Sequence, residues 1–248
     1  MKYCSAFFAA SMLTASLAYG ETTTIKYSGR SGIAPVASAT IMLSVSGSSY
    51  NTSFDGKGIG IAAVTQYKIR AKAKGVTGNS TKPSWAQMWT SRKGKPRDTI
   101  MTFGGQRPTI KITPNWTPHS SKEKLNLSHI NDSIDIMSVM VRLSNQIRLK
   151  GNCWGTFNVT DGRSALQVTA RAKGQASVST NAYKGKATLC QLSVKSLSGR
   201  ILRDAKAGST QVANVYFAKP RNKQYPIPVR VTGKFMGFGV SLNADSIK

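Results

Sequence analysis

Residues 151–170 read GNCWGTFNVTDGRSALQVTA, and two runs of alternating apolar and polar residues flank the dipeptide Asp161-Gly162. Side chains on a β-strand alternate between its two faces, so each run predicts a half-buried strand. Asp-Gly between two such runs is a strong signal for a tight hairpin turn. Cys153 stands beside Trp154 at the start of the first run. The segment is therefore either an active-site loop that carries a thiol or a structural hairpin.

The same alternation recurs between turn signals along the rest of the chain. In residues 66–74, apolar or small residues alternate with four cations, so a strand here has one buried face and one basic face. In residues 38–45, the apolar side chains again fall on one face. Short alternating runs of this kind indicate antiparallel β-structure. The apolar residues of the second run are Ala39, Ile41, Leu43 and Val45.

Residues 133–149 have a helical period instead, with apolar side chains at the spacing of one helix face. Asp132 or Ser133 is expected to cap this helix, and Asp135 lies near its positive end. The sequence therefore predicts a mainly β protein with one main α-helix at about residues 133–149. The apolar residues of the helix are Ile136, Met137, Met140, Val141, Leu143 and Ile147.

The first twenty residues have the pattern of a secretory signal peptide. Lys2 precedes an apolar stretch from Ala6 to Leu17, and Ala18-Tyr19-Gly20 supplies small residues where a signal peptidase reads. The alternative is a retained membrane anchor, for which this stretch is at the short limit. We expect a signal peptide of residues 1–20, export, and a mature chain of residues 21–248. The mature chain is expected to form a single β-rich envelope domain without a transmembrane span.

The chain carries 35 Lys and Arg against 9 Asp and Glu, a formal net charge of +26. Such an excess favours anionic partners, among them anionic lipid, an anionic envelope surface and nucleic acid. Nucleic acid is the least favoured of these, because export separates the protein from it. The cations are scattered along the chain, so a diffuse basic surface without a dedicated partner is the alternative.

Cys153 and Cys190 are the cysteines that remain after signal cleavage. An oxidising compartment favours a disulfide between them. A nucleophilic Cys153 needs a base within reach, and the two histidines, His119 and His129, lie in or near a long loop. The structural hairpin is therefore the preferred interpretation, with Trp154 packed against the disulfide or the core. No catalytic residue is predicted.

Residues that hold metals or cofactors do not cluster in the sequence. Two histidines, paired cysteines and nine dispersed carboxylates form no ligand set. The sequence contains no nucleophile elbow, phosphate-binding loop or dinucleotide fingerprint. We therefore expect neither a metal nor a cofactor.

Three tryptophans and a methionine are candidates for a ligand groove. Trp85 and Trp89 have the same parity in one predicted strand, so they face the same side. They either pack in the core or form the wall of an apolar groove, with Arg92 and Lys93 near its mouth to contact an anionic head group. Arg163, in the hairpin turn, either contacts an anion as well or is a solvated turn arginine. The candidate groove residues are Trp85, Met88, Trp89 and Trp116.

Five segments follow one another in an order typical of one bacterial family. A glycine-led segment and strand, GIGIAAVTQYKIRAKAKG, occupies residues 58–75, and a helix start, DSIDIMSVMVRL, occupies residues 132–143. The hairpin with its cysteine, CWGTFNVTDGRSALQVTA, follows at 153–170. A second cysteine segment, YKGKATLC, stands at 183–190, and a late strand, YPIPVRV, at 225–231.

This order of segments resembles the bacterial envelope family catalogued as domain of unknown function 3108, over most of residues 22–243. The chain departs from the family's pattern at Thr160, where the family's hairpin has phenylalanine. It also departs after the helix-start aspartate, where Ser133 or Ile134 replaces proline. The resemblance implies a curled antiparallel sheet, spiral or half-open and β-barrel-like, around one main helix.

The resemblance also implies a periplasmic protein with a role in envelope maintenance. The family lacks an assigned reaction, and its members are similar in shape to lipoprotein carriers whose half-barrels hold acyl chains. We therefore expect a non-enzymatic protein that binds a lipid or lipoprotein acyl chain in an apolar groove. The alternatives are a hydrolase acting on envelope polymers and a purely structural scaffold with the same fold.

Overall fold

The structure is a computed structural model that describes residues 20–118, 120–200, 207–235 and 238–248. The expected signal peptide therefore lies outside the described residues, apart from Gly20. Within the described ranges, thirteen strands form one antiparallel sheet that does not close into a barrel. One α-helix, α1 (Ile136–Lys150), accompanies the sheet, with short 3₁₀ turns at Gly60–Thr65, Ser121–Glu123 and Leu127–Ile130. The expected curled β-sheet with one main helix is confirmed.

The strands follow the alternating runs of the sequence. The first seven are β1 (Glu21–Ser31), β2 (Ala34–Ser46), β3 (Ser49–Gly58), β4 (Lys68–Val76), β5 (Lys82–Arg92), β6 (Lys95–Thr102) and β7 (Thr109–Thr113). The remaining six are β8 (Trp154–Thr160), β9 (Ser164–Ser179), β10 (Lys184–Gly199), β11 (Thr210–Ala218), β12 (Ile227–Phe235) and β13 (Phe238–Ile247).

Two meanders make up the sheet, in the order β7-β6-β5-β4-β3-β2-β1-β13-β12-β11-β10-β9-β8. Strands β1 to β7 run outward from the middle to one edge, and β8 to β13 run back from the other edge to the middle. The segment between β7 and β8 contains α1 and carries the chain from one edge to the other. In the middle, Ile25 of β1 lies opposite Ile247 of β13.

The alternation predicted from the sequence is present in the strands. In β2, Ala39, Leu43 and Val45 are buried. In β4, Ala71 and Ala73 are buried, while the lysines between and beside them are exposed. One face of these strands therefore lines the core, and the opposite face meets the solvent.

Helix α1 begins later than the sequence predicted. Its N-cap is Asp135, whose Oδ1 accepts a hydrogen bond from the backbone N–H of Ser138 at 3.0 Å. The prediction that Asp132 or Ser133 caps the helix was wrong, because the chain is still extended at Ile134, which forms a parallel β-bridge with Val159. The helix ends at Lys150, and the N–H of the C-cap residue Gly151 donates to the Ile147 carbonyl at 2.9 Å.

Helix α1 packs against both halves of the sheet. Val139 and Leu143 are fully buried in a cluster with Phe157, Val168 and Val215, from the second meander. Met137 and Val141 belong to a second cluster formed with strands of the first meander, which includes Tyr50, Ala73 and Met101. Burial of one large aliphatic side chain contributes about 1.5–3 kcal/mol. The helix therefore fills the concave face and holds the curl of the sheet.

The tip of the β8–β9 hairpin reaches the opposite edge of the sheet. Asp161 Oδ1 accepts hydrogen bonds from the N–H groups of Arg163 and Ser164 at 2.9 and 2.7 Å, which forms the expected turn. Gly162 has φ +82 and lies so close to β6 that a Cβ there would be 2.4 Å from Thr99 Cγ2. The two ends of the curled sheet thus meet at this hairpin tip.

Cys153 and Cys190 form the expected disulfide, with a Cα–Cα distance of 6.1 Å. Both residues are fully buried, and the bond ties the segment after α1 to the middle of β10. Trp154 does not pack against the disulfide or the core, because its parity in β8 is opposite to that of buried Phe157. Its side chain is 54% exposed, and the Lys150 ammonium lies 5.7 Å from the ring centroid.

Candidate functional site

The outer face of β4 and β5 combines cations with tryptophans. Directly opposite residues in paired strands share a face, and the register places Arg70 opposite Trp89 and Lys74 opposite Trp85. Lys72, between the two cations, lies opposite Gln87. We call this surface the cationic–aromatic face, and its residues are Lys68, Arg70, Lys72, Lys74, Trp85 and Trp89.

Two cation–π contacts organise this face. The Arg70 guanidinium carbon lies 5.0 Å from the centroid of the Trp89 ring, and Lys74 Nζ lies 5.9 Å from the centroid of the Trp85 ring. At exposed positions each such contact contributes about 0.5–1 kcal/mol. Because both rings are half-buried and both cations are exposed, the charges remain available to a partner.

The cationic–aromatic face keeps most of its positive charge. Asp55 pairs with Arg70 at 3.1 Å, but both side chains are more than half exposed, and such a pair stabilises little. Asp98 accepts two hydrogen bonds from Gln87 Nε2, at 3.0 and 2.8 Å. Among the described residues, none of the face's three lysines forms an ion pair.

Two cavities border the cationic–aromatic face. One has a volume of about 310 Å³ and is lined by residues that include Tyr67, Lys68 and Trp89. The other has a volume of about 550 Å³ and lies toward the other end of the strands, with Lys74 and Phe103 in its wall. Both walls mix polar, charged and apolar side chains, which suits a ligand with an anionic group better than a purely apolar one.

The structure separates the residues expected to line one groove. Trp85 and Trp89 share a face, as their parity predicted, but that face is the outer one. Met88 points to the inner face, where its neighbours Ala71 and Thr99 are buried. Trp116 is half-buried in the segment that follows β7. The four residues therefore do not form one wall.

The three residues expected to contact anions differ in exposure. Arg92 and Lys93 are exposed at the β5–β6 turn, where Lys93 has φ 51. Arg163 is 4% exposed, so it is not a solvated turn arginine. Burial lowers the pKa of Arg163, and the charges of Arg200 and Arg97 lower it further, whereas Asp161 raises it. The contact of these residues with an anion stays a prediction.

Tyr67 lies within the electrostatic reach of the same arginines. Burial raises the pKa of its phenol, while Arg200, Arg163 and Arg92 lower it. Tyr67 also lines the cavity of about 310 Å³ beside the cationic–aromatic face. This tyrosine therefore connects that cavity with the arginines around the hairpin tip.

A buried polar network anchors the start of α1 to β3. Ser138 Oγ lies 2.6 Å from the Tyr50 hydroxyl and also bonds the Asp135 carboxylate. Burial raises the pKa of Asp135, whereas its hydrogen bonds with Ser138 lower it. Burial likewise raises the pKa of Tyr50. Since Asp135 also caps α1, we assign this network a structural role.

One of the two candidate bases can be placed. His129 Nδ1 lies 3.1 Å from Ser198 Oγ, which also accepts the N–H of Asn126 at 3.2 Å. This contact ties the loop before α1 to β10, and the serine is 6% exposed. His119, the other candidate, lies outside the described residues.

Two further properties of the described ranges bear on function. No group of three or more His, Cys, Asp and Glu side chains in them is placed to hold a metal ion. None of their helices has the length and apolar character required to cross a bilayer.

Sequence reasoning missed the pairing of cations with tryptophans and the arginines that surround Arg163. The pairing of cations with tryptophans depends on the register of β4 and β5, in which Arg70 lies opposite Trp89. The alternation of residues 66–74 and the parity of the tryptophans were its available signals. The group of arginines around Arg163 includes Arg97 and Arg200, which are far apart in sequence. No local sequence pattern therefore predicts this group.

The described residues therefore define a class of mainly β proteins in which an open, curled antiparallel sheet packs around one α-helix. In this chain, the outer face of the sheet is aromatic and basic. A family model described as "Protein of unknown function (DUF3108)" matches residues 22–243, and the chain belongs to this family. The family expected from the sequence is thus confirmed.

Comparison with other proteins adds one structural likeness. A solved structure from Parabacteroides distasonis ATCC 8503, provisionally described as a lipoprotein, is similar with a TM-score of 0.35 and 8% identity. The similarity covers 92% of this chain and 95% of that chain. A search of curated proteins found no match.

Proposed function

We propose that this protein is an exported, non-enzymatic periplasmic protein that binds an anionic membrane surface of the cell envelope through the cationic–aromatic face. The observation that carries the proposal is the pairing of Arg70 with Trp89 and of Lys74 with Trp85 on a solvent-exposed sheet face. Export is supported by the signal-like pattern of residues 1–20. The disulfide supports it as well, because disulfides persist in oxidising compartments.

Anionic phospholipid head groups fit this face better than a dissolved polymer. Exposed cations bind lipid phosphates, and each Lys or Arg near an anionic membrane contributes about 1 kcal/mol. Tryptophan has an apolar ring and a polar N–H, and it is enriched where a membrane meets water. Trp85 and Trp89 stand on the same face as the cations and supply that second component.

Binding of an acyl chain on the concave face of the sheet is the less favoured alternative. Helix α1 occupies the concave face, and its side chains Val139 and Leu143 are fully buried there. An acyl chain would have to displace these contacts. We therefore place lipid contact at the level of the head groups, on the outer face.

Vesicle sedimentation with the mature chain, residues 21–248, tests the proposal. Binding is expected for vesicles that contain phosphatidylglycerol and not for vesicles of phosphatidylcholine alone. The triple variant Lys68→Gln, Lys72→Gln, Lys74→Gln should weaken binding on the order of 100-fold, because three cations at about 1 kcal/mol each are lost.

A matched control separates this face from the diffuse charge of the protein. Lys184, Lys186 and Lys219 are exposed outside the cationic–aromatic face, and their change to Gln removes the same charge. The control should bind nearly as well as the wild type. Equal loss in the two triple variants would refute a dedicated face. Binding to a soluble anionic polymer but not to vesicles would refute the membrane as the partner.

A further inference from the structure

Three arginines meet where the β8–β9 hairpin tip touches the opposite edge of the sheet. Arg163 belongs to the tip, and the N–H of Arg200, just after β10, donates to the Arg163 carbonyl at 2.8 Å. Arg97 of β6 shares a face with Thr99, which the neighbouring Gly162 contacts. Residues from three separate parts of the chain therefore come within electrostatic reach of one another at the hairpin tip.

Several buried polar atoms at this point lack a hydrogen-bond partner among the described residues. Arg163 is 4% exposed, and its Nε has no hydrogen-bond acceptor in the described part of the chain. Arg97 Nη1 and the Thr99 hydroxyl are also buried, and neither has a partner within the described ranges. Buried donors are almost always satisfied in native proteins, so an acceptor from outside the described residues is expected here.

The charge balance points to an anion as that acceptor. Asp161 is the carboxylate of the hairpin turn, and its Oδ1 already accepts the backbone N–H groups of Arg163 and Ser164. Among the described residues, Arg97, Arg163 and Arg200 form no ion pair. Asp161 favours the charged form of Arg163, but it only partly offsets burial and the repulsion by Arg200 and Arg97, so the pKa of Arg163 is lowered.

We infer that Arg97, Arg163 and Arg200, with the Thr99 hydroxyl, form a binding site for a phosphate group at the junction of the hairpin tip and β6. Guanidinium groups present planar pairs of N–H donors that match phosphate oxygens, and a hydroxyl adds a further donor. Tyr67, which lies within the electrostatic reach of Arg163 and Arg200, lines the neighbouring cavity of about 310 Å³. The inference does not depend on the cationic–aromatic face.

In the first experiment, the mature chain is titrated with inorganic phosphate at constant ionic strength. Calorimetry measures the binding, and thermal unfolding with and without phosphate gives the midpoint. Phosphate should bind and raise the midpoint. Arg163→Met should weaken phosphate binding about ten-fold or more, since charge-assisted hydrogen bonds are lost. Arg171→Met, an exposed change in β9, is the matched control and should bind as the wild type does.

Half-buried Arg200 supplies a second variant, Arg200→Gln, in case Arg163→Met does not fold. It should also lose phosphate binding, while its vesicle binding stays that of the wild type. A soluble short-chain phosphatidylglycerol forms the second arm and distinguishes a lipid phosphodiester from free phosphate as the ligand. The inference is overturned if neither compound binds, or if both site variants bind as tightly as Arg171→Met.

Discussion

The disulfide makes a quantitative prediction about stability. Replacing Cys153 and Cys190 by Ala removes a cross-link between residues 37 positions apart. The chain-entropy relation for a loop of this length gives about 4 kcal/mol of lost stability. Because domains are typically stable by about 5–15 kcal/mol, the loss is a large fraction of the total.

The structure adds two features to this estimate. Both cysteines are fully buried in the cluster that holds the C-terminal half of α1, so the double variant also loses packing around Leu143 and Ile147. The unfolded chain without the cross-link is less compact, so the denaturant dependence of the unfolding free energy should become steeper. The lower midpoint and the steeper dependence are separate observables.

Guanidinium unfolding followed by tryptophan fluorescence measures both quantities. The wild type, the double variant and reduced wild type are compared. Reduced wild type loses only the cross-link, so it should be less destabilised than the double variant, which also loses the buried sulfur atoms. Since both sulfurs are buried, the folded wild type should resist reduction until it opens. A loss below about 1 kcal/mol in the double variant would refute the loop-entropy argument. Two free thiols in periplasm-expressed protein would refute the disulfide itself.

Two further changes test the hairpin tip and the helix cap. Gly162→Ala should destabilise by about 1–3 kcal/mol, because the new Cβ meets Thr99 Cγ2 at 2.4 Å, and the urea midpoint measures this loss. Asp135→Asn should flatten the pH dependence of the unfolding free energy. Burial raises the folded-state pKa of Asp135 above its ordinary 3.8. The native state then holds a proton that the unfolded chain has lost, so wild-type stability falls as pH rises between the two values.

Controls for these changes come from the same chain. Gly174→Ala also places alanine at positive φ, +84, but meets no atom within 4 Å, so its difference from Gly162→Ala isolates the contact with β6. Equal losses in the two variants would contradict the docking of the hairpin tip. For Asp135, denaturant midpoints are measured from about pH 4 upward. A wild-type slope equal to that of Asp135→Asn would contradict the raised pKa.

The local elements of the fold could be predicted from the sequence. Period-two alternation around Asp161-Gly162 identified the β8–β9 hairpin, and the same signal in residues 66–74 identified β4 and its basic face. The helix was expected from its period, but its cap was not. Asp132, Ser133 and Asp135 all have side chains suited to capping, and the β-bridge of Ile134 to β8 decides among them.

Long-range placement could not be predicted, and the candidate sites depend on it. The contact of Arg70 with Trp89 follows from the register of two strands, which a single sequence does not determine. The junction of Arg97, Arg163 and Arg200 exists because the sheet curls until its edges meet. Arg163 therefore seemed a solvated turn residue, although the curl buries it.

The central pairing of β1 with β13 has a consequence for biogenesis. Ile25 and Tyr27 of β1 pair with Ile247 and Ala244 of β13. The middle of the sheet therefore joins a segment that is synthesised early to one that is synthesised last. Such distant pairings form slowly, and until they form the open side of β1 is an aggregation-prone template. Residues 238–247 form β13, which lies between β1 and β12 in the middle of the sheet. Their loss would therefore split the sheet into two parts and would not merely remove an edge strand. A chain that lacks β13 therefore exposes the unpaired edges of β1 and β12 in the middle of the sheet, where other chains can pair with them.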